Sequence, residues 1–311
     1  MTVPYLIEFR RIFKSLNKKP VLSNVNFSIS KGEIVGIIGS SGVGKTTLLR
    51  TLIGYYRPDS GQILFNSSVA AQDSSTIRRI FGFTSQDDSI YPELTVAENL
   101  RYFATLYGIE RRQAAQQAVF LLKFLDLVGK EDVVAEDLSG GMRQRLDIAC
   151  ALIHNPDILI MDEPTAGLDA VTRKDIWQLM QSINRQGKTI LFTSHLLDEI
   201  GILCHRIAVL RNGTLYQIGS PAKLRQVNAH TGIVQVQTLQ GKYVQLVEQL
   251  KKAGAPVQRY QQRPTALAMV TNDTAKTVQL VTAVLAATQE KLMDITVSRP
   301  TVADLLERFL R

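Results

Sequence analysis

The chain has 311 residues, 45% of them hydrophobic, and its 36 lysines and arginines against 28 aspartates and glutamates give a formal net charge of +8. The length suffices for one large and one small domain with a buried core, and no apolar run approaches the ~18 residues that a membrane span needs. The basic residues form no dense cluster, so we expect a protein that neither crosses a membrane nor binds nucleic acid.

A glycine-rich loop follows the first strongly apolar strand. Ile34–Ile38 predicts a buried strand, and a helical pattern begins at Leu48. Because glycines let successive N–H groups converge on phosphate oxygens at the start of a helix, this order predicts a phosphate-binding loop. The residues predicted to bind the nucleotide are Gly39, Ser40, Ser41, Gly42, Val43, Gly44, Lys45, Thr46 and Thr47.

Two side chains of this loop carry its chemistry. Lys45 supplies a positive charge that can bridge the β- and γ-phosphates through charge-assisted hydrogen bonds, each worth about 1.5–3 kcal/mol. The Thr46 hydroxyl is a ligand for Mg²⁺. The alternative, a glycine-rich turn that binds nothing, does not require the glycines, the lysine and the hydroxyl to be in register.

A long stretch that is first polar and then helical, about residues 87–145, separates this loop from the next motifs. Near its end Ser139, Gly140 and Gly141 open a helix. A serine before two glycines is an ordinary helix N-cap. The same N–H groups and the helix dipole can instead address a phosphate, and the residues alone leave both interpretations open.

Two carboxylates follow the next apolar strand, at Asp162 and Glu163. Such a pair suits phosphoryl transfer, because Asp162 can reach Mg²⁺ through a bound water and Glu163 can polarise the attacking water as a general base. Taken alone, a strand that ends in two acids is as often a solvated turn. The strand Thr189–Phe192 leads to His195. A histidine in this position can have a purely structural role, as a cap of the following helix.

Four further residues have a structural interpretation. Cys150 and Cys204 lie in apolar stretches and need not pair, which is typical of a protein from a reducing cytosol. His154 and His205 lie near the ends of predicted elements, where a histidine commonly caps a helix or packs at a turn. We assign none of the four to a ligand site.

Residues 231–311 predict a separate small domain. Their strands and helices have the order β-α-β-β-α-β, which is the split, ferredoxin-like arrangement. A last helix begins after Pro300, with Thr301 and Asp304 in the positions of a capping box. The other predicted elements are the strands Gly232–Gln237, Val257–Gln261, Ala266–Thr271 and Leu292–Ser298 and the helices Tyr243–Ala253 and Thr274–Thr288.

From about Ile7 to Leu224 the motifs resemble, in order and spacing, those of the ATP-binding subunits of ABC transporters. The resemblance implies an α/β fold, with a P-loop NTPase domain over residues 1–230 that contains the helical insert, and a small α+β domain over residues 231–311. It matches the family motifs to Gly39–Thr47 (Walker A), Gln86 (Q-loop), Leu138–Met142 (signature), Asp162 and Glu163 (Walker B and catalytic base), Asp169 (D-loop) and His195 (switch histidine).

The resemblance also implies a mechanism that one chain cannot complete. ATP and Mg²⁺ would lie between the Walker A loop of one subunit and the signature of a second copy, so the protein is expected to form a homodimer. The residues implied to act on the partner's nucleotide are Ser139, Gly140, Gly141 and Asp169.

The same resemblance gives roles to the residues on the near side of the nucleotide. Glu163 would be the catalytic base, and His195 would contact the γ-phosphate. Thr46 and Gln86 would ligate Mg²⁺ directly, and Asp162 would do so through a water.

The implied partners are polytopic permease subunits, with the ATPase at the cytoplasmic face of the inner membrane as a peripheral subunit. The end of the chain, Arg299–Arg311, resembles that of drug-, lipid- and sodium-exporting ATPases of the daunorubicin-exporter type, which favours export. An importer or lipid-trafficking ATPase would differ mainly in its partner and tail. A soluble ABC ATPase that acts on DNA or ribosomes usually has a long coiled coil or a second nucleotide domain, and the sequence has neither.

The sequence departs from the family pattern at the signature and at the nucleotide base. Met142 ends the signature where glutamine is usual, but that position lies past the backbone that contacts phosphate, so we expect activity to be retained. Leu16 aligns with the aromatic residue that stacks on adenine. Phe13 could take its place if the loop shifts its register.

Overall fold

The structure is a computed structural model, and it divides the chain into two compact units between Pro221 and Ala222. The predicted boundary at residue 230 falls within residues 224–230, outside the described residues, and so does the helix predicted from Pro300. The residues that the structure describes are 6–66, 68–69, 79–87, 89–223 and 231–299.

The helices and strands of these residues are numbered here in chain order. The strands are β1 (Ile7–Leu16), β2 (Lys19–Ile29), β3 (Ile34–Ile38), β4 (Ser60–Phe65), β5 (Ser68–Val69), β6 (Phe81–Thr84), β7 (Ile158–Asp162), β8 (Thr189–Ser194), β9 (Arg206–Arg211), β10 (Thr214–Gly219), β11 (Gly232–Thr238), β12 (Val257–Gln262), β13 (Leu267–Thr271) and β14 (Leu292–Ser298). The helices are α1 (Lys45–Leu52), α2 (Val96–Leu106), α3 (Arg111–Phe124), α4 (Gly140–Leu152), α5 (Ala170–Arg185), α6 (Leu197–Leu203), α7 (Tyr243–Lys252) and α8 (Thr274–Thr288).

A six-stranded sheet with the order β10-β9-β3-β8-β7-β6 forms the centre of the first unit. The strands from β9 to β6 pair in parallel, whereas β10 pairs antiparallel with β9. Every residue of β3, β7 and β8 is buried, as expected for parallel strands that are covered on both faces. Because parallel strands end at the same edge, the loops after these three strands meet there.

An antiparallel sheet with the order β2-β1-β4-β5 adjoins this centre and shares its core. The turn between β1 and β2 contains Asn17 and Lys18 with φ of 49° and 63°, which is the conformation of a tight hairpin. β1 is irregular at Arg11, whose carbonyl oxygen would lie 2.1 Å from a Cβ on Gly61. Only glycine therefore fits at position 61 of the neighbouring strand.

Two local features order the helical insert, namely the start of α2 and the contacts that His154 makes with Tyr107 of the insert and with Phe81 of β6. α2 begins with a capping box, in which Thr95 Oγ1 accepts from the Glu98 N–H at 3.2 Å and Glu98 Oε2 accepts from the Thr95 N–H at 2.9 Å. Just after α4, His154 stacks on Tyr107 with ring centres 3.6 Å apart, and its Nε2 donates to Phe81 O at 2.9 Å. Burial lowers the pKa of His154 to about 4, so the imidazole is neutral near pH 7.

The second unit is a four-stranded antiparallel sheet with the order β12-β13-β11-β14 and two helices packed against it. Its core is separate from that of the first unit and includes Val234, Val236 and Met269 from the sheet with Leu246 and Val281 from the helices. The β-α-β-β-α-β order predicted from the sequence is the order that the structure has, and the strand order is that of the split arrangement.

Throughout the described residues, every helix falls short of the length and apolar character that a membrane crossing requires.

Candidate active site

The predicted phosphate-binding loop lies between β3 and α1 at the carboxyl edge of the central sheet. Gly42 and Gly44 have φ of 76° and 108°, in the region that glycine adopts without strain. A Cβ on Gly39 would lie 2.7 Å from Leu210 O, so the backbone passes β9 too closely for a side chain. Since α1 begins at Lys45, the loop has the glycines and the helix start that backbone phosphate binding needs.

Lys45 holds its ammonium group over this loop. The side chain is 6% exposed, and Nζ donates to Gly39 O at 3.0 Å and to Ser40 O at 3.3 Å. Glu163 Oε1 lies 3.2 Å from the same nitrogen. The contact joins the loop after β3 to the loop after β7, as the predicted pairing of the two motifs requires.

The two carboxylates at the end of β7 are organised by one hydroxyl group on β8. Thr193 Oγ1 donates to Asp162 Oδ1 at 2.6 Å and accepts from the Glu163 N–H at 2.9 Å. Asp162 is 2% exposed and Thr193 is fully buried. No role was predicted for Thr193 from the sequence. The sequence feature that could have indicated one is a hydroxyl residue at the end of an apolar strand, and the parallel pairing of β7 with β8 places this residue opposite Asp162.

Glu163 is held from its other side by His195. His195 Nδ1 lies 2.7 Å from Glu163 Oε2, with the histidine side chain 51% exposed and the glutamate 13% exposed. Glu163 also has φ of 52°, an uncommon conformation for a residue with a side chain, and such strain is concentrated at functional sites. The carboxylate therefore lies between an ammonium group and an imidazole, with one oxygen toward each.

These side chains open into a cleft of about 520 Å³, a volume suited to a small-molecule ligand. It brings together residues from the loops after β3, β6, β7 and β8. Predicted site residues outside its lining are Gly39, Ser40, Val43 and Asp162, which lie within or beneath the loops, and the signature group with Asp169. The lining residues are Leu16, Val21, Ser41, Gly42, Gly44, Lys45, Thr46, Thr47, Gln86, Glu163 and His195.

One end of the cleft is aliphatic. Leu16 and Val21 line it, whereas Phe13 lines a second cleft of about 850 Å³ on the antiparallel sheet. A Cβ on Gly44 would lie 2.8 Å from Val21 Cγ1, so the β1–β2 hairpin rests on the phosphate-binding loop. On its far side the hairpin contacts the β9–β10 turn, where the Ser23 N–H donates to Gly213 O at 2.7 Å.

The signature residues lie at the start of α4. Ser139 caps the helix by accepting from the Met142 N–H at 3.3 Å, a contact that depends on the backbone of residue 142 and not on its side chain. Ser139 and Gly140 are exposed. Asp169 caps α5, and hydrogen bonds from Thr172 lower the pKa of its carboxyl group.

Comparison with known proteins assigns this fold and site to a family. A family model described as ABC transporter matches residues 22–166. Nod factor export ATP-binding protein I of Paraburkholderia xenovorans (strain LB400) is 40% identical over 218 residues, which cover 70% of this chain and 72% of that protein. The chain belongs to the ABC transporter family. It is an ATP-binding subunit, an ATPase whose hydrolysis of ATP powers transport, as the sequence predicted.

Other relatives of this ABC ATPase support the assignment. Linearmycin resistance ATP-binding protein LnrL of Bacillus subtilis (strain 168) is 33% identical over 219 residues, 70% of each chain. The solved structure of cbiO1 from Clostridium perfringens, described as part of the ABC transporter complex cbiONQ, has a TM-score of 0.66 at 26% identity and covers 73% of this chain and 95% of that one. The predicted P-loop ABC ATPase fold is thereby confirmed.

The residues expected to hold Mg²⁺ have suitable chemistry. Mg²⁺ prefers oxygen ligands and is usually held by one or two carboxylates together with substrate phosphates. Thr46 offers a hydroxyl oxygen and Gln86 an amide oxygen to the cleft, and Asp162 lies directly before the cleft-lining Glu163. This donor set fits Mg²⁺ better than a transition metal, which would favour nitrogen or sulfur ligands.

Proposed function

We propose that this ABC ATPase powers export of a compound from the cell through separate permease subunits. The names of two groups of its relatives, Nod factor export and linearmycin resistance ATP-binding proteins, support this direction. The ATPase would then be a peripheral subunit at the cytoplasmic face of the inner membrane. An importer or lipid-trafficking ATPase is the alternative, since the cleft serves either direction equally.

We further propose that two copies of the chain enclose each ATP. The loop, base and histidine line one cleft, whereas Ser139, Gly140 and Gly141 are outside that lining among the described residues. Their N–H groups begin α4, and two of the three residues are exposed. Helix N-termini with free N–H groups favour anionic ligands. A second copy could therefore contribute its signature to the phosphates in the first copy's cleft.

The observation that carries the catalytic assignment is the position of Glu163 between Lys45 Nζ and His195 Nδ1, at 3.2 Å and 2.7 Å. In the proposed mechanism Lys45 and the loop N–H groups orient the β- and γ-phosphates of ATP. Glu163 accepts a proton from the attacking water as a general base. His195 orients the Glu163 carboxylate and can contact the γ-phosphate.

The proposed Mg²⁺ ligands are Thr46, Gln86 and, through a water, Asp162. When bound, the ion would neutralise charge on the β- and γ-phosphates. Gln86 follows β6 and precedes the helical insert, so it is suited to link nucleotide binding to the orientation of the insert.

The insert is the proposed contact with the permease. Tyr91 and Tyr102 are 42% and 38% exposed, and their hydroxyl groups lie 2.9 Å apart. That contact raises the pKa of Tyr91, so its hydroxyl group stays neutral near pH 7. An exposed aromatic pair is suited to a protein interface.

The Glu163→Gln variant tests the catalytic role. Removal of a general base slows its step by about 10²–10⁴-fold, so we expect ATP hydrolysis to be nearly abolished while the affinity for Mg-ATP stays within about threefold. Glu248→Gln on α7, an exposed carboxylate far along the chain, is the matched control and should hydrolyse ATP at the wild-type rate. Near-normal hydrolysis by Glu163→Gln would overturn the assignment.

Direction can be measured in the native organism. Metabolite profiles of cells and of medium are compared between strains that carry the wild-type protein and Glu163→Gln. Export predicts at least one compound whose level is higher in the cells and lower in the medium of the Glu163→Gln strain. A compound whose level is instead lower in the cells and higher in the medium of that strain would contradict export and support import.

A further inference from the structure

The first turn of α5 is held in one conformation by Asp169. Its Oδ1 accepts from the N–H groups of Val171 and Thr172 at 2.9 Å and 3.0 Å, and its Oδ2 accepts from Thr172 Oγ1 at 2.6 Å. Both carboxylate oxygens are thus used within the chain. Because Thr172 Oγ1 is fixed by this bond, the direction of its methyl group is fixed as well.

That methyl group fills the space beside the signature. A Cβ on Gly141 would lie 2.4 Å from Thr172 Cγ2, closer than side-chain carbons approach in proteins. Beside Gly140, a Cβ would lie 3.6 Å from Leu168 Cδ2, an ordinary contact distance. Two side chains of the D-loop region therefore pack against the two signature glycines of the same chain.

We propose that Thr172 is a positioning residue for the signature, with its hydroxyl group anchored by Asp169 and its methyl group supporting the backbone at Gly141. The proposal rests on the proposed two-copy enclosure of ATP, because the signature's ligand is there the partner's nucleotide. It gives Asp169 a role inside its own chain, through Thr172, in addition to any contact across the dimer.

The physical reason is that glycines have no side chains to restrict them. Two successive glycines restrict the first turn of α4 less than other residues would, so their N–H groups can rotate further, which would weaken a phosphate contact made through the backbone. A fixed methyl group against Gly141 limits that rotation and keeps the donors aimed in one direction. A site loosened by a small displacement loses much of its function, so support from a neighbouring helix is an effective device.

The test uses the full chain in the Glu163→Gln background, where ATP is not consumed, and measures ATP-dependent dimerisation by sedimentation. Thr172→Ser keeps the hydroxyl group and the bond to Asp169 but removes the methyl group. We expect it to raise the dimer dissociation constant by roughly tenfold. Thr172→Val loses the bond to Asp169 but keeps a methyl group against Gly141, which the restricted rotamers of a β-branched side chain in a helix still hold in part, so it should raise the constant by only about threefold. Lys174→Ala, an exposed neighbour on α5, is the control.

A readout on the monomer separates positioning from general damage. The affinity of each variant for Mg-ATP, measured at a protein concentration below dimerisation, should equal that of the parent, since Thr172 is outside the cleft lining. A Thr172→Ser variant with the parent's dimer dissociation constant would overturn the proposal. So would a Thr172→Val variant whose dimer is weakened as much as that of Thr172→Ser. A parent that stays monomeric with ATP would overturn the two-copy enclosure itself, and this proposal with it.

A second measurement tests the contact without ATP. Gly141→Ala should lower the melting temperature, because its methyl group would overlap Thr172 Cγ2. Adding Thr172→Ser removes that atom, after which the nearest remaining atom of residue 172 would be 3.7 Å away, so the double variant should regain most of the loss. A double variant no more stable than Gly141→Ala would contradict the contact on which the proposal depends.

Discussion

Thr193 links the two residues that are proposed to act in catalysis, Asp162 and Glu163. Its hydroxyl group is fully buried and serves both as a donor to Asp162 and as an acceptor for the Glu163 N–H. Asp162 ends β7 and Glu163 directly follows it, and Thr193 comes from β8, the next strand of the sheet. One side chain thereby fixes the orientation of the Asp162 carboxylate and of the backbone that carries Glu163.

Thr193→Val is predicted to impair both stability and hydrolysis. Valine has nearly the same shape but leaves a buried carboxylate oxygen and a buried N–H without their partner, at a cost of about 1–3 kcal/mol in the free energy of unfolding. Hydrolysis should fall as well, because Glu163 loses its backbone anchor. Urea unfolding and steady-state ATPase rates measure the two effects. Thr193→Ser, which retains the hydroxyl group, is the control, and a Val variant that matches it in both assays would refute the role.

Some residues of the candidate site could be proposed from the sequence, and others could not. Lys45, Glu163 and His195 could be proposed from the sequence because phosphate chemistry favours those residue types at those places in the chain. The structure brings Glu163 within 3.2 Å of Lys45 and within 2.7 Å of His195. Thr193 could not be proposed in this way, because its role depends on which strand lies beside β7. Phe13 and Leu16 differ by three positions in one irregular strand, and only the pairing of β1 with its neighbours separates the clefts that they line.

At the scale of elements, the second unit was the most predictable part of the fold. The predicted helix Thr274–Thr288 and strand Leu292–Ser298 have the observed bounds, and each of the other four predicted elements that the structure describes differs by one residue at one end only. Regular alternation and helical periodicity fix such elements locally. The contacts of His154 with Tyr107 in the insert and with Phe81 in the sheet were not predictable, because the three residues are far apart in sequence.

His154 makes the first unit sensitive to acid. Its pKa is about 4 in the folded protein, lowered first by burial and further by Lys188, against an ordinary value of 6.5. Below pH 6.5 the unfolded chain gains a proton that the folded chain does not, so the stability from this residue is lost as the pH falls toward 4. At about pH 5 the loss from this residue comes to about 2 kcal/mol.

The measurement for His154 is urea unfolding of the wild type and of His154→Gln at about pH 7.5 and pH 5. The variant has no group that titrates at this position, so its stability should fall less on acidification, by about 2 kcal/mol. Equal losses in the two proteins would show that His154 takes up no proton selectively in the unfolded state.

At the scale of the whole molecule, the candidate active site and the second hydrophobic core belong to different units of the chain. Every residue that lines the cleft around Lys45 and Glu163 belongs to the first unit, and the second unit has its own hydrophobic core. A unit with its own core can unfold on its own. Damage to the second unit should therefore lower its own stability without lowering the intrinsic affinity for Mg-ATP.

Met269→Ala tests this separation. Met269 is fully buried in the second core, and its truncation should cost about 2–5 kcal/mol. Calorimetry should show one thermal transition move to lower temperature, while Mg-ATP binding measured below that transition is unchanged. Met293→Ala, at a residue that is 60% exposed in the same unit, is the control and should leave both transitions in place. A joint shift of all unfolding with loss of Mg-ATP affinity would contradict the separation.

The hairpin over the phosphate-binding loop has a genetic consequence. Val21 Cγ1 contacts the loop at Gly44, and on its other side a Cβ on Gly213 would lie 2.7 Å from Val21 O. A bulkier residue at either glycine would push the same hairpin, although the two positions belong to distant parts of the sequence. Inactivating alleles at Gly213, in a turn that carries no nucleotide motif, should therefore share a phenotype with alleles at Gly44. A smaller side chain at Val21 should suppress alleles at Gly44, whereas alleles at Gly213, which meet the Val21 backbone, should not be suppressed by it.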